Sequence, residues 1–162
     1  MRVLFILVGL LAGCGPKPPP EKPMPERELL TPEEVVLAGK GVAEQYRQAY
    51  QVRSLESLTP LYSQSLDLIV VHQGRGYRGW TAVEKRLREL IETSSEIHVT
   101  LADVNVSALG PEGAAVTASI TREVSDGVTK VVEEGVLTLA LRLEGERWLI
   151  VSEHFSYPVS AP

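Results

Sequence analysis

The sequence predicts an α+β fold in which three N-terminal helices gather on one face of an antiparallel sheet. Two observations carry this. Between residues 31 and 93 apolar side chains recur at helical spacing in three runs, and from Glu96 onward they recur at every second residue in successive runs. A third observation sets the layout. Helices and strands are segregated along the chain, so the helices lie on one face of an antiparallel sheet rather than linking parallel strands. With 162 residues, 44% of them hydrophobic and 23% charged, the chain has the size and composition of one domain.

The first helix opens at Thr31. Its hydroxyl can cap, Pro32 suits the first helical position, and Glu34 can close a capping box. Val35, Ala38, Gly39, Val42, Ala43, Tyr46, Ala49 and Tyr50 then form an inward stripe. Gly39 and Gly41 each cost about 1 kcal/mol of helix propensity against alanine, which points to close approach of a sheet. Tyr46 lies on the stripe, so its hydroxyl needs a partner or a pocket. Residues 54–62 read as a short second helix carrying Leu55, Leu58, Leu61 and Tyr62, with Pro60 near its end.

Residues 66–72 read as an early strand, with Leu66, Leu68, Val70 and His72 on one face and Asp67, Ile69 and Val71 on the other. The glycine-rich stretch 73–79 reads as a loop. It lacks the lysine and hydroxyl ending of a phosphate loop, so a nucleotide site is rejected. Thr81 and Glu84 suggest a second capping box. It would open a third helix with Val83, Leu87, Leu90 and Ile91 inward and Lys85, Arg86, Arg88 and Glu89 outward.

Ile97, Val99 and Leu101 alternate in one phase and Val104, Val106 and Ala108 in the other, so a bulge near Ala102 and Asp103 is expected to bend the sheet. Residues 110–113 form a turn. The next strand places Val116, Ala118, Ile120, Arg122 and Val124 on one face, where Arg122 is the odd member. Asp126-Gly127 marks a hairpin. Residues 128–143 form a long strand with a break expected at Gly135, and 144–146 turn into the last strand, 147–157. Strict alternation there puts Trp148, Ile150, Ser152, His154 and Ser156 on one face and Leu149, Val151, Glu153 and Phe155 on the other. The first face grades from apolar to polar, as in a strand running from a core into the mouth of a pocket.

The N-terminus reads differently. Met1-Arg2 is positive, residues 3–11 are apolar, and Leu11-Ala12-Gly13-Cys14 follows. Residues 1–13 are therefore a secretory signal, too short to span a bilayer. The Leu-Ala-Gly-Cys run resembles a bacterial lipoprotein lipobox. That resemblance implies cleavage before Cys14, a diacylglycerol thioether on its sulfur and an acylated amino terminus. Cys14 is the only cysteine, so no intrachain disulfide exists. Residues 14–30 are then expected to form a lipidated tether. Its stretch from Gly15 to Pro25 holds six of the eleven prolines and in polyproline II geometry would reach about 34 Å. The folded domain is expected over 31–158, with a tail at 159–162. Gly15, rather than aspartate, follows the cysteine; by resemblance to Gram-negative lipoproteins this implies the outer membrane, with the domain facing the periplasm of a bacterial cell envelope.

The order of helices and strands, Tyr46 and Tyr50 on the first helix, Leu61-Tyr62 before the early strand, Gly79 with Ala82-Val83, and Trp148-x-Ile150 with His154-x-Ser156 together resemble the SnoaL-like branch of the nuclear transport factor 2-like superfamily. The resemblance implies a cystatin-like cone, a curved antiparallel sheet wrapping the three helices, whose open end forms a pocket. The superfamily includes isomerases, cyclases, dehydratases, ligand binders and interaction domains, so the fold does not name the function. In ketosteroid isomerase-type members an aspartate on the early strand moves protons, which makes Asp67 one catalytic candidate. His154, with the titration range of a general base, is the other. No catalytic residue is assigned.

Tyr46, His72, Trp80, Arg122, His154 and Ser156 are the candidates for binding a small molecule, with Arg122 suited to a carboxylate or phosphate, or to an internal acid such as Glu133 or Glu134. Three histidines on distant strands without a cysteine partner give no metal-ligand spacing, and no cofactor is expected. A net charge of −5 argues against a nucleic-acid backbone binder. The expected partners are a membrane, reached through lipidated Cys14, a small-molecule ligand, and a second copy of the chain in a homodimer through the sheet. The functional expectation is a non-catalytic binding or interaction domain, with a ketosteroid isomerase-like or hydratase-type enzyme as the alternative.

Overall fold

The computed structural model describes residues 29–156. The expected signal, Cys14 and most of the expected tether lie outside the described residues, as do Tyr157 and the expected tail.

Helix α1, Pro32–Gln51, starts with the expected capping box. Thr31 Oγ1 accepts from the Glu34 N–H at 3.3 Å, and Glu34 Oε2 accepts from the Thr31 N–H at 2.8 Å. Its buried face carries Val35, Gly39, Val42, Ala43, Tyr46, Ala49 and Tyr50. Gly39 is where the helix meets the sheet: a Cβ there would lie 2.6 Å from Val106 Cγ1. Short helix α2, Leu55–Leu58, and a 3-10 turn, Thr59–Leu61, follow.

Strand β1 is shorter than the alternation suggests, Ile69–His72. The glycine-rich stretch is not simply a loop. Arg75–Arg78 forms strand β2, paired antiparallel to β1. The turn between them is Gln73-Gly74, both at positive φ, a two-residue hairpin that glutamine disguises in the sequence. Helix α3, Trp80–Thr93, is capped by Gly79 without a side-chain bond, not by the Thr81 box. Backbone bonds explain the earlier start. The Gly79 N–H donates to the Leu68 carbonyl at 2.7 Å and the Trp80 N–H to the Ser65 carbonyl at 3.2 Å, so the chain is pinned before Thr81 is reached. Arg86, expected outward, is buried with Val83 and Leu87.

Four long strands complete the sheet: β3, Glu96–Ala108; β4, Gly113–Ser125; β5, Lys130–Glu144; β6, Arg147–Ser156. The order is β2-β1-β6-β5-β4-β3. The sheet is antiparallel except where β1 runs parallel to β6. The expected bulge in β3 is present, with Asp103 at φ 53° and a register shift between Ala102 and Asn105. Strand β5 runs through Gly135 without the expected break.

The decisive irregularity is in β6. Leu141 pairs with Ile150 but Ala140 pairs with Ser152, so the bulge leaves Val151 as an extra residue. Paired residues share a face, and the bulge therefore reverses the phase of everything after it. Trp148 and Ile150 point into the core, and Glu153 and Phe155 join them there, opposite Leu139 and Leu137. Ser152, His154 and Ser156 turn to the outer face.

Candidate functional site

The core of the cone contains an acid. Glu153 projects from β6 towards α1 and is 3% exposed. Tyr46, from α1, donates its hydroxyl to Glu153 Oε1 at 3.0 Å, and Tyr62, just after the 3-10 turn, donates to Oε2 at 2.5 Å. Both tyrosines are 2% exposed. The proton of Tyr62 is thus committed, so the 3.4 Å contact between Tyr50 and Tyr62 oxygens has Tyr50 as donor. The chain Tyr50 → Tyr62 → Glu153 ← Tyr46 satisfies the carboxyl as an acceptor at both oxygens. Burial, and then the charge of Glu153, push the Tyr46 and Tyr62 phenols well above their ordinary range. These tyrosines stay protonated and donate.

A second polar group gathers around Arg122. Arg122 on β4 faces Glu133 on β5 across the strand pair. Glu133 Oε2 accepts from Arg122 Nε at 2.7 Å and from Nη2, and Glu133 Oε1 accepts from Gln73 Nε2 at 2.7 Å. Arg122 Nη2 also meets His72 Nε2, and its guanidinium lies 5.5 Å from the centre of the Phe155 ring. Burial favours a neutral His72, whose pKa is lowered. Burial alone would raise Glu133, but its contacts with His72 and Arg122 outweigh that and hold it at about 2.

Arg86 comes in from α3. It is 9% exposed, and its guanidinium lies over the Tyr77 ring at 5.3 Å. Its buried Nη1 meets no hydrogen-bond partner among the described residues. One turn further along α3, Leu90 borders an open cleft of about 310 Å³, lined also by Thr93, Ser94, Val124, Asp126, Thr129 and Val131. Two other clefts flank α1 and share Gln45, Pro60 and Leu61. Among the described residues no cluster of His, Cys, Asp and Glu could hold a metal ion, and no helix is long and apolar enough to cross a membrane.

The sequence matches the SnoaL-like domain model over residues 40–160. The chain belongs to the SnoaL-like domain family. Solved structures similar to this SnoaL-like cone include a candidate dehydratase of the NTF2-like family from Streptomyces avermitilis, with TM-score 0.73, 23% identity, and coverage of 80% of this chain and 100% of that one. A candidate scytalone dehydratase from Novosphingobium aromaticivorans matches with TM-score 0.68 and 15% identity over 76% of this chain and 83% of that one. An NTF2-like superfamily protein from Salmonella enterica serovar Typhimurium has TM-score 0.67 and 16% identity over 75% and 89% of the two chains. At these identities the likeness is one of fold. No curated protein matches the sequence.

The SnoaL-like cone brings together some of the residues singled out in its sequence and separates others. Tyr46, His72 and Arg122 face the interior, but Tyr46 bonds to Glu153 while Arg122 and His72 gather on Glu133. Trp80 is half-buried against Tyr62, their ring centres 6.4 Å apart. His154 and Ser156 are exposed on the outer face, because the Val151 bulge moves them there. Asp67 is exposed, just before β1. Sequence reasoning missed Glu153 and Arg86. The signal for Glu153 was present: an acid between Val151 and Phe155 on an otherwise apolar face is the same anomaly as Arg122.

Proposed function

We propose that the chain is a lipid-anchored protein of the bacterial cell envelope whose SnoaL-like cone binds a small molecule without transforming it. The observation that carries this reading is the Glu153 cluster. The acid at the centre of the cone has both oxygens occupied by tyrosines of the same chain, and all three side chains are closed to solvent. A general base must reach the proton it removes, and this one is turned inward. Room for a ligand exists instead in the open cleft beside α3. Cys14 supplies the anchor in this reading, and the proline-rich tether holds the domain off the bilayer. A homodimer through the outer sheet face is part of the proposal, supported by the small, uncharged Thr117, Ser119, Val136, Thr138 and Ala140 on that face.

A second reading has one specific observation in its favour. An acid set between phenols is chemically suited to proton transfer, and two of the similar structures bear dehydratase names. In that reading Glu153 is freed when a substrate displaces a tyrosine. The two readings separate in deuterated water. Small molecules extracted from the purified protein are added back to it, and carbon-bound deuterium is followed by mass spectrometry. Binding without turnover predicts none. Deuterium uptake that disappears in Glu153→Gln would establish the enzyme reading. Anchoring is tested by metabolic labelling with an alkyne fatty acid, which should mark the wild type and not Cys14→Ser.

A further inference from the structure

The two clefts that flank α1 run into one another. The first, of about 420 Å³, is lined by Ala38, Gly41, Val42 and Trp148. The second, of about 390 Å³, reaches Ala49 and Val52. Because Gln45, Pro60 and Leu61 line both, they make one groove. It follows α1 from Ala38 at one end to Val52 at the other, about 21 Å at a rise of about 1.5 Å per residue. Its walls are largely apolar yet open: Val52 is 62% exposed, Pro60 is exposed, and Trp148 is half-buried.

Gly41 lies on the floor of this groove. Its neighbour Gly39 is required by Val106, but a Cβ on Gly41 would meet nothing within 4 Å. A mid-helix glycine weakens α1 relative to alanine, and nothing among the described residues uses the space it leaves. What it does allow is close approach of a further backbone to the helix. The chain holds a segment suited to that space. Residues 16–25 contain six prolines. They connect through residues 26–28 to Leu29, where the described residues begin, and α1 starts at Pro32, about 9 Å along the helix from Ala38. Residues 26–28 extend to about 10 Å, so the run can turn back and enter the groove at its Trp148 end. Ten residues in polyproline II geometry rise about 31 Å, enough to follow the groove throughout.

We propose that the groove along α1 holds the chain's own proline-rich run, residues 16–25, with Trp148 and Pro60 against its rings and Gly41 beneath its backbone. Polyproline II segments are extended and preformed, and grooves with aromatic walls receive them at low entropic cost. Trp148 supplies that wall. The charged residues of the lining, Glu146 and Arg147, stand at the Trp148 end, and the run carries the complementary pair Lys22 and Glu21. The tether is then a spacer of fixed direction rather than a free leash. This inference is independent of the small-molecule reading, which uses the cleft beside α3, and of the lipid on Cys14.

Met24 lies inside the run, and the other methionine is Met1. Photo-methionine incorporated into the full-length protein therefore places a photocrosslinker in the run without a substitution. Illumination should give crosslinks within one chain from Met24 to residues 38–45, 60–61 and 146–148, mapped by peptide mass spectrometry. Gly41→Leu fills the floor of the groove while its Cβ meets no atom of the fold, so the variant folds, and it should lower the yield of these crosslinks about five-fold. Pro18→Ser, Pro19→Ser and Pro20→Ser together should lower it as well, because the run loses its preformed geometry while the domain is untouched. Crosslinks from Met24 that show no enrichment at the groove, or groove crosslinks unchanged by Gly41→Leu, overturn the assignment. Groove crosslinks that join two chains into covalent dimers also overturn it, because the occupant is then the run of a second copy.

Discussion

At the scale of residues, the molecule is defined by polar groups placed on apolar faces. Glu153 accepts two buried hydroxyls, and removing either donor leaves one carboxylate oxygen unsatisfied. Tyr46→Phe and Tyr62→Phe should each cost about 1 to 3 kcal/mol in urea unfolding. Because they share one acceptor, the double variant should depart from the sum of the two. Glu133 carries the pH dependence. Its pKa falls from the ordinary 4.5 to about 2 on folding, so its contribution is complete above about pH 5 and is lost as pH falls towards 2. The amount is on the order of 2 to 3 kcal/mol, because the side chain is 10% exposed and tightly paired. His72 acts in the same direction. Its lowered pKa means that the unfolded chain gains a proton first as pH falls below about 6.5, which favours unfolding. Glu133→Gln should therefore flatten the acid limb of a stability-versus-pH curve between about pH 5 and 2.

At the scale of elements, two irregularities position the interior: close approach at Gly39 and the bulge in β6. Gly39→Ala would drive a methyl group into Val106, and the strain should exceed the gain in helix propensity, leaving a loss of about 1 to 2 kcal/mol. Val106→Ala in the same chain should recover part of the loss, read as a shift in the denaturation midpoint. The glycine was legible in the sequence because helices rarely spend one without a packing reason. The capping box at Thr31, the β3 bulge and the inward Arg122 were legible for similar local reasons. The β6 bulge was not. A run such as Leu149-Ile150-Val151 is apolar on both faces and carries no mark of where the phase slips, and only pairing with β5 decides it. That single residue exchanges His154 and Ser156 for Glu153 and Phe155 in the interior. Arg86 was hidden for another reason: it sits beside Lys85 and Arg88, and only burial against Tyr77 distinguishes it.

At the scale of the whole molecule, the cone divides into a closed centre and an open rim. The centre is filled by side chains of the chain itself, and the oxygens of Glu153 and Glu133 are all engaged. The clefts lie outside that centre, one of them beside α3. The outer sheet face is small and uncharged across the middle of β4 and β5, and there the proposed dimer would form. Val136→Glu places a charge on that face, so it should convert the dimer to a monomer in sedimentation equilibrium with little change in thermal stability, since Val136 is exposed.

The most direct test of binding without turnover is native mass spectrometry of the protein purified from membranes, with wild type beside Glu153→Gln. The account predicts a stoichiometric small molecule on the wild type and the same molecule on Glu153→Gln. A molecule that accumulates only on Glu153→Gln, with the wild type empty or carrying a chemically altered form, would contradict it, because that is how a substrate trapped by a disabled enzyme would appear.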